Sequence, residues 1–492
     1  MISRASDDRD AGEGLLVATA LVLLLFFLSI PLFSPLDSPL TTRWLLLGFS
    51  LFCALPLIPC VARRQMDFFE IIYPVALSYF IYFVLSSRDP IPEEGLAFPS
   101  LTDRHLNLAF FYVGLGFFCL LMGYYGPLRK NILRVLPHPS LEVDRAKLNA
   151  TIYALYGIGT ILRLVMLANG SGTLSTKAQE LEYGSNMPGY FGNLGYFSNL
   201  ALFGYLMAVC CFFSQLRTRV LSFALWFVMF PSECFWVFLQ GSKSLMVPIV
   251  VSPWIAYNYM NRKIRWRQIL IPVLLFVFVV FPVMTAYRSF VSDYPIRLST
   301  LHRDLPKIAA MVGEEVTTPA GENYVGNAPS MVTERASGLL PVANTIQYAE
   351  GRGFLHGSTL QDIFLIIVPS FLNPGKYKNL ESSGELYGLE IFGMEEMHSG
   401  VTIMQVGEFY LNFGLLGIAI GLFLQGLLYR CWQDYWVGVG TPLAIAVFIV
   451  GWRFLTYIEI PFSTGYGLLL RDFMMILPII WFVSRGKNRS LS

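Results

Sequence analysis

Charge is scarce in this chain. Asp, Glu, Lys and Arg make up 14% of its 492 residues against 55% apolar residues, and the apolar residues come in blocks of about twenty rather than in amphipathic periods. That excludes a water-soluble globular domain and predicts an all-α polytopic membrane protein. Cysteine is sparse too. Cys53, Cys60, Cys119, Cys210, Cys211, Cys234 and Cys431 fall in or beside apolar segments without metal-ligand spacing, so neither a disulfide framework nor a zinc site is expected. A net charge of +2 carries no nucleic-acid signature, because orientation in a bilayer decides where Lys and Arg sit. Internal repeats are absent, as are the paired, Gly- or Pro-interrupted short helices of inverted-repeat transporters.

What is present is a series of about twelve spans. They run approximately Gly14–Phe33, Trp44–Val61, Phe68–Ser87, Leu106–Tyr125, Leu148–Ala168, Tyr196–Ser214, Val220–Phe238, Ser244–Met260, Gln268–Tyr287, Glu408–Tyr429, Val437–Tyr457 and Tyr466–Ser484. The first has a charged tail before it and a Pro-rich stretch after it, with no small-x-small cleavage site, so it reads as a retained span and not a signal peptide. With a cytoplasmic N-terminus, the inside segments hold 19 Lys and Arg in roughly 68 residues and the short outside loops 5 in roughly 65, which obeys the positive-inside rule. Both termini are therefore expected in the cytoplasm. The chain divides into 1–287 (spans one to nine), 288–407 (a large outside loop) and 408–492 (spans ten to twelve).

The loop of about 120 residues has aromatics and apolar periodicity, and loops of that length are usually functional or disordered; we expect an ordered cap over a membrane-embedded site. Ile296, Leu301, Leu305 and Ile308 recur at helical intervals with Arg297, Arg303 and Lys307 among them, which predicts an amphipathic helix on the membrane surface. DIFLIIVPSFL is too short to span and ends in the breaker NPGK, so a re-entrant or interfacial segment is expected.

Ionisable side chains inside spans are costly and so are candidates for function. Arg163, Glu233, Lys243, Arg288, Glu408, Arg453, Glu459 and Arg471 come from seven spans yet sit at similar outward depth. In a bundle they can line one cavity beneath the loop. Arg163, Lys243, Arg288 and Arg453 suit a diphosphate, which wants several cationic donors and preferably planar forks. Snorkelling to lipid headgroups, or pairing with Glu233 and Glu459, accounts equally well for any one of them. Glycosyl transfer from a phosphate leaving group also needs a base for the acceptor hydroxyl. Glu408, at the junction of loop and span, is the first candidate, although a Glu in a first helical turn also complements the dipole. His398, and His356 with Asp362, are further candidates. Tyr324, Tyr348, Phe354, Tyr377 and Tyr387 offer faces for sugars. The single Asp-x-Asp match, Asp8-Arg9-Asp10, lies in the expected cytoplasmic tail. Metal-independent chemistry without a cofactor is expected.

GEFYLNFGLLG at Gly407–Gly417, following a large external loop, and Gly241-Ser242-Lys243 opening a span resemble the Wzy-type O-antigen and exopolysaccharide repeat-unit polymerases of bacteria. The resemblance implies a GT-C-like integral glycosyltransferase of the inner membrane. It would join polyprenyl-diphosphate-linked oligosaccharides on the periplasmic face, beside a chain-length regulator and a flippase of the same pathway. Lys243 stands where the family pattern has Arg, keeping the charge and losing the fork. O-antigen ligases share the architecture but tend to carry a His near the start of the span after the loop, where this chain reads Thr402-Ile403-Met404-Gln405. The rivals are such a ligase and a flippase or exporter of the same lipid-linked sugars.

Overall fold

The computed structural model describes residues 2–63, 66–86, 101–137, 143–171, 190–261, 263–291, 298–317, 338–368, 372, 386–392 and 402–484. Among these there are helices and connections but no strand. Among the described residues nine helices are long and apolar enough to cross a membrane: Gly12–Phe33, Pro39–Val61, Asp103–Tyr125, Arg145–Ala168, Leu194–Phe212, Arg219–Leu239, Trp266–Arg288, Met404–Val439 and Phe462–Ser484. Shorter apolar helices, Ile72–Leu85, Leu245–Met260 and Pro442–Leu455, occupy the other three expected positions. The chain is thus a polytopic helical membrane protein.

Two of these helices show how composition sorts protein-facing from lipid-facing segments. Pro442–Leu455 and Trp266–Arg288 are both apolar all round. The first carries Ala444, Ala446 and Gly451, which let neighbours approach closely, and nearly all of it is buried. The second is built from Leu, Val, Ile and Phe, and only 17% of its apolar window is buried within the protein; its side chains make the hydrocarbon-facing surface. Close backbone approach decides the central contact. A Cβ on Gly123 would collide with the carbonyl oxygen of Phe423, and one on Gly426 with that of Leu120, so Asp103–Tyr125 and Met404–Val439 pack there through glycine, as membrane helices do when dispersion drives association.

Three local expectations are revised. The turn expected between Tyr429 and Val437 is continuous helix: Met404–Val439 runs to a left-handed Gly440, because nothing in RCWQDYW breaks a helix and its charges find buried partners. That helix also starts four residues before Glu408, while the ninth span's helix, Phe281–Val291, continues past Arg288. The amphipathic helix forms as Leu301–Thr317, with Ile308 and Val312 packed on Leu167, Leu239 and Tyr287; its apolar face meets the bundle. DIFLIIVPSFL supplies a six-residue helix, Asp362–Ile367. Ile366 lies so close to Gly467 that a Cβ there would sit 2.8 Å from it.

Candidate functional site

Three of the four expected diphosphate ligands gather around one small apolar cluster. Leu167, Leu239, Ala286, Tyr287, Ile308 and Val312 pack together, tying the ends of Arg145–Ala168, Phe230–Leu239 and Phe281–Val291 to Leu301–Thr317. Arg163 lies just over a turn from Leu167. Its two terminal nitrogens reach Glu233 at 2.5 and 3.1 Å, and its guanidinium lies 5.4 Å from the centre of the Trp236 ring. Lys243 donates to the Thr285 hydroxyl and holds its ammonium 3.6 Å from the centre of the Phe281 ring. Arg288 is in the last turn of its helix, next to Tyr287, whose hydroxyl donates to the Leu239 carbonyl at 3.1 Å and whose ring packs tilted against Phe238.

The fourth, Arg453, belongs to a pairing the sequence reading missed. Arg453 donates to Asp472 at 2.8 Å, and Arg471 reaches the other oxygen of the same carboxylate at 3.5 Å. Two guanidinium groups therefore share one fully buried carboxylate, leaving a positive charge in excess within the apolar bundle. The Nε groups of Arg163, Arg453 and Arg471 are buried without a hydrogen-bond partner among the described residues. A buried donor left unpaired is costly, so these three groups are primed to meet an acceptor. Arg471 lies over the ring of Tyr196, whose neighbour Gly195 faces Met166, one turn from Arg163. This contact sets the helix of Tyr196 against the helix of Arg163. An Arg-Asp dipeptide inside an apolar run was the available signal for Asp472.

Glu408 is not the open base the sequence suggested. It is fully buried, with the Ser463 N–H donating to one oxygen at 2.8 Å and the Ser463 hydroxyl to the other at 2.5 Å, while Thr359 and Asp362 lie against the same group. These bonds make it a clamp between the long helix and the final one. The rest of the motif serves a helix break. At Phe413 and Gly414 the backbone leaves the helix, Gly414 with φ 62°, and the carbonyls of Leu411 and Asn412 are taken by the N–H groups of Leu355 and His356 at 2.9 and 3.1 Å. The Asn412 side chain donates to the Thr359 hydroxyl and the Glu408 carbonyl, and accepts from the Gly357 N–H at 2.9 Å.

Asn412→Ala is therefore expected to lower stability by about 1–3 kcal/mol, through the buried groups it strands. Thermal unfolding of the purified variant in detergent reads this directly; an unchanged midpoint would mean the break holds itself.

Tyr387 is buried among Ile391, Phe392, Ile403 and Leu411, so its ring is core and presents no face to a glycan. Tyr348 donates to Glu390 at 2.9 Å, and the Arg352 guanidinium lies over its ring. Asp362 is fully buried, and His356 sits exposed with φ 51°. Tyr324, Tyr377 and His398 lie outside the described residues.

A second charged cluster, unforeseen from sequence, gathers around Arg430, beyond the break at Phe413 and Gly414. Arg430 donates to Glu70 at 2.5 Å, Asp434 at 2.9 Å and Glu13 at 3.4 Å, and Arg129 reaches Glu13 at 2.7 Å. Tyr124 donates to Glu70 at 3.0 Å, and its ring lies against the Arg430 guanidinium.

No family model, no curated protein and no solved structure matches the chain.

Proposed function

We propose that this protein is a metal-independent glycosyltransferase of the bacterial inner membrane. It polymerises polyprenyl-diphosphate-linked oligosaccharide repeat units on the periplasmic face, with a GT-C-like bundle capped by the loop between spans nine and ten. The observation that carries this reading is the buried pair Arg453 and Arg471 sharing Asp472, their Nε donors without a hydrogen-bond partner among the described residues, in a proposed arc with Arg163, Lys243 and Arg288. An anion with several oxygens, lying at headgroup depth, is what such an arc is built to receive. In the reaction, an acceptor hydroxyl oxygen bonds to the anomeric carbon of the growing glycan as the bond from that carbon to phosphate breaks. The electron pair leaves on the lipid diphosphate, where preorganised guanidinium groups stabilise the added charge. The acceptor proton passes to a base. Glu408 is fully buried and engaged by Ser463, and His398 is the base we propose.

The test is chemical. Purified protein in nanodiscs, given lipid-linked repeat units from its own host, is expected to lengthen the glycan, and to do so equally well in EDTA. Unchanged repeats in the presence of folded protein would overturn the polymerase reading, and loss of activity restored by Mg²⁺ would overturn the metal independence. A ligase would instead move the glycan only when offered a lipid A core acceptor, and a flippase would relocate it without new bonds.

A further inference from the structure

We infer a saccharide-binding site at the rim of the bundle, formed by Phe354, Tyr410 and Tyr112 with Glu350, Arg104 and His105. It rests on the polymerase reading, to which it adds the place where the acceptor sugar is held. The rings form a ledge whose exposed face is Phe354, with Tyr410 buried behind it. Tyr112 stacks on Tyr410 with centroids 5.2 Å apart and planes 25° off parallel. Phe354 meets Tyr410 edge-on at 5.8 Å and remains 42% exposed. One turn before Phe354, the Glu350 carboxylate takes Arg104 at 3.3 Å and His105 at 3.4 Å. His105 precedes Tyr112 by about two turns of one helix, which puts both on one face, so the polar groups stand on the same side as the rings.

The mixture of groups selects the ligand. An anion would meet Glu350, and a cation would meet Arg104, so neither gains from the site. A purely apolar ligand would strip water from the carboxylate and guanidinium without replacing it. A neutral sugar does neither: its C–H face covers an aromatic ring, while vicinal hydroxyls donate to a carboxylate and accept from a guanidinium. An exposed Glu–Arg pair is worth little to folding, so stability does not account for placing one here. Arg104 and His105 open the helix whose other end holds Tyr124 in the buried charged cluster, so the ledge and that cluster stand at opposite ends of one helix.

The probe is the repeat-unit oligosaccharide freed from the host's polysaccharide by mild acid, offered to the full-length protein in lipid nanodiscs. Saturation-transfer NMR is expected to show contact at sugar ring protons, with the apparent Kd at least five-fold weaker in Phe354→Ala and in Glu350→Gln. Phe364→Ala, at an exposed apolar position away from the ledge, should bind as wild type. Phe354 also touches Gly414, so if Phe354→Ala fails to fold, the surface variant Glu350→Gln decides alone. No transfer from folded wild type, or an unchanged Kd in Glu350→Gln, overturns the site. The two readings fail separately: binding without chain extension leaves the sugar site and removes the polymerase, whereas extension of normal length and rate in both variants leaves the polymerase and removes the site.

Discussion

Arg430→Ala is expected to lose most of the folded protein. The side chain is fully buried, and its guanidinium reaches Glu70, Asp434 and Glu13 at once, so one residue joins the starts of the first and third spans to the extended end of the long helix. Truncation leaves carboxylates buried without their main counter-charge, a change that costs about 3–5 kcal/mol where a buried pair is broken from one side. Stabilities of folded domains are about 5–15 kcal/mol, so a loss of that size is severe. The check is the monodisperse fraction after detergent extraction and the melting midpoint of what survives. Arg430→Leu combined with Glu70→Leu should recover part of the loss, because apolar replacement of both partners removes the desolvation problem. An Arg430→Ala protein that melts within a degree or two of wild type would show that Arg129 and water satisfy the carboxylates unaided.

The helices were legible in the sequence because a bilayer imposes length and apolarity on each segment separately, and a window of about twenty residues reads both. The charged pairings were not. Glu13, Glu70, Arg129 and Asp434 each flank an apolar block and read as loop charges, and Arg430 finds Glu70 across 360 residues of sequence. Hydropathy treats Arg430 and Asp434 as the end of a span. The helix in fact continues, because its partners neutralise both. Arg163 and Glu233 were each visible as charges inside spans, yet nothing local says that they fork to each other. Glu408 shows the opposite failure. GEFYLNFG reads as a reactive motif because it puts a carboxylate, an amide and glycines together. The carboxylate instead holds Ser463, the amide clasps a helix break, and Gly414 supplies the left-handed backbone of that break. A glycine after Asn-Phe inside an apolar run was the sign that the helix is interrupted there.

The proposed reaction makes the strongest demand on Arg453 and Arg471. Both groups share Asp472, so each serves the fold as one half of an ion pair, and a simple truncation would confuse loss of structure with loss of ligand. Lysine separates the two. It keeps a cation against Asp472 and should leave folding close to wild type, but it presents a point charge and not two parallel N–H donors. Removing one preorganised donor to a developing oxyanion costs about 10²–10³-fold in rate. Arg453→Lys and Arg471→Lys are therefore each expected to extract and melt like wild type while extending lipid-linked repeats about 100-fold more slowly, so that single unpolymerised repeats accumulate on the lipid. Asp472→Asn tests the same pair from the other side: it leaves two buried guanidinium groups without a counter-charge, and should lower the melting midpoint in the absence of lipid diphosphate and regain it when an undecaprenyl diphosphate probe is added. Polymer of normal length and rate from both lysine variants would return this pair to a structural role and remove the observation on which the diphosphate site stands.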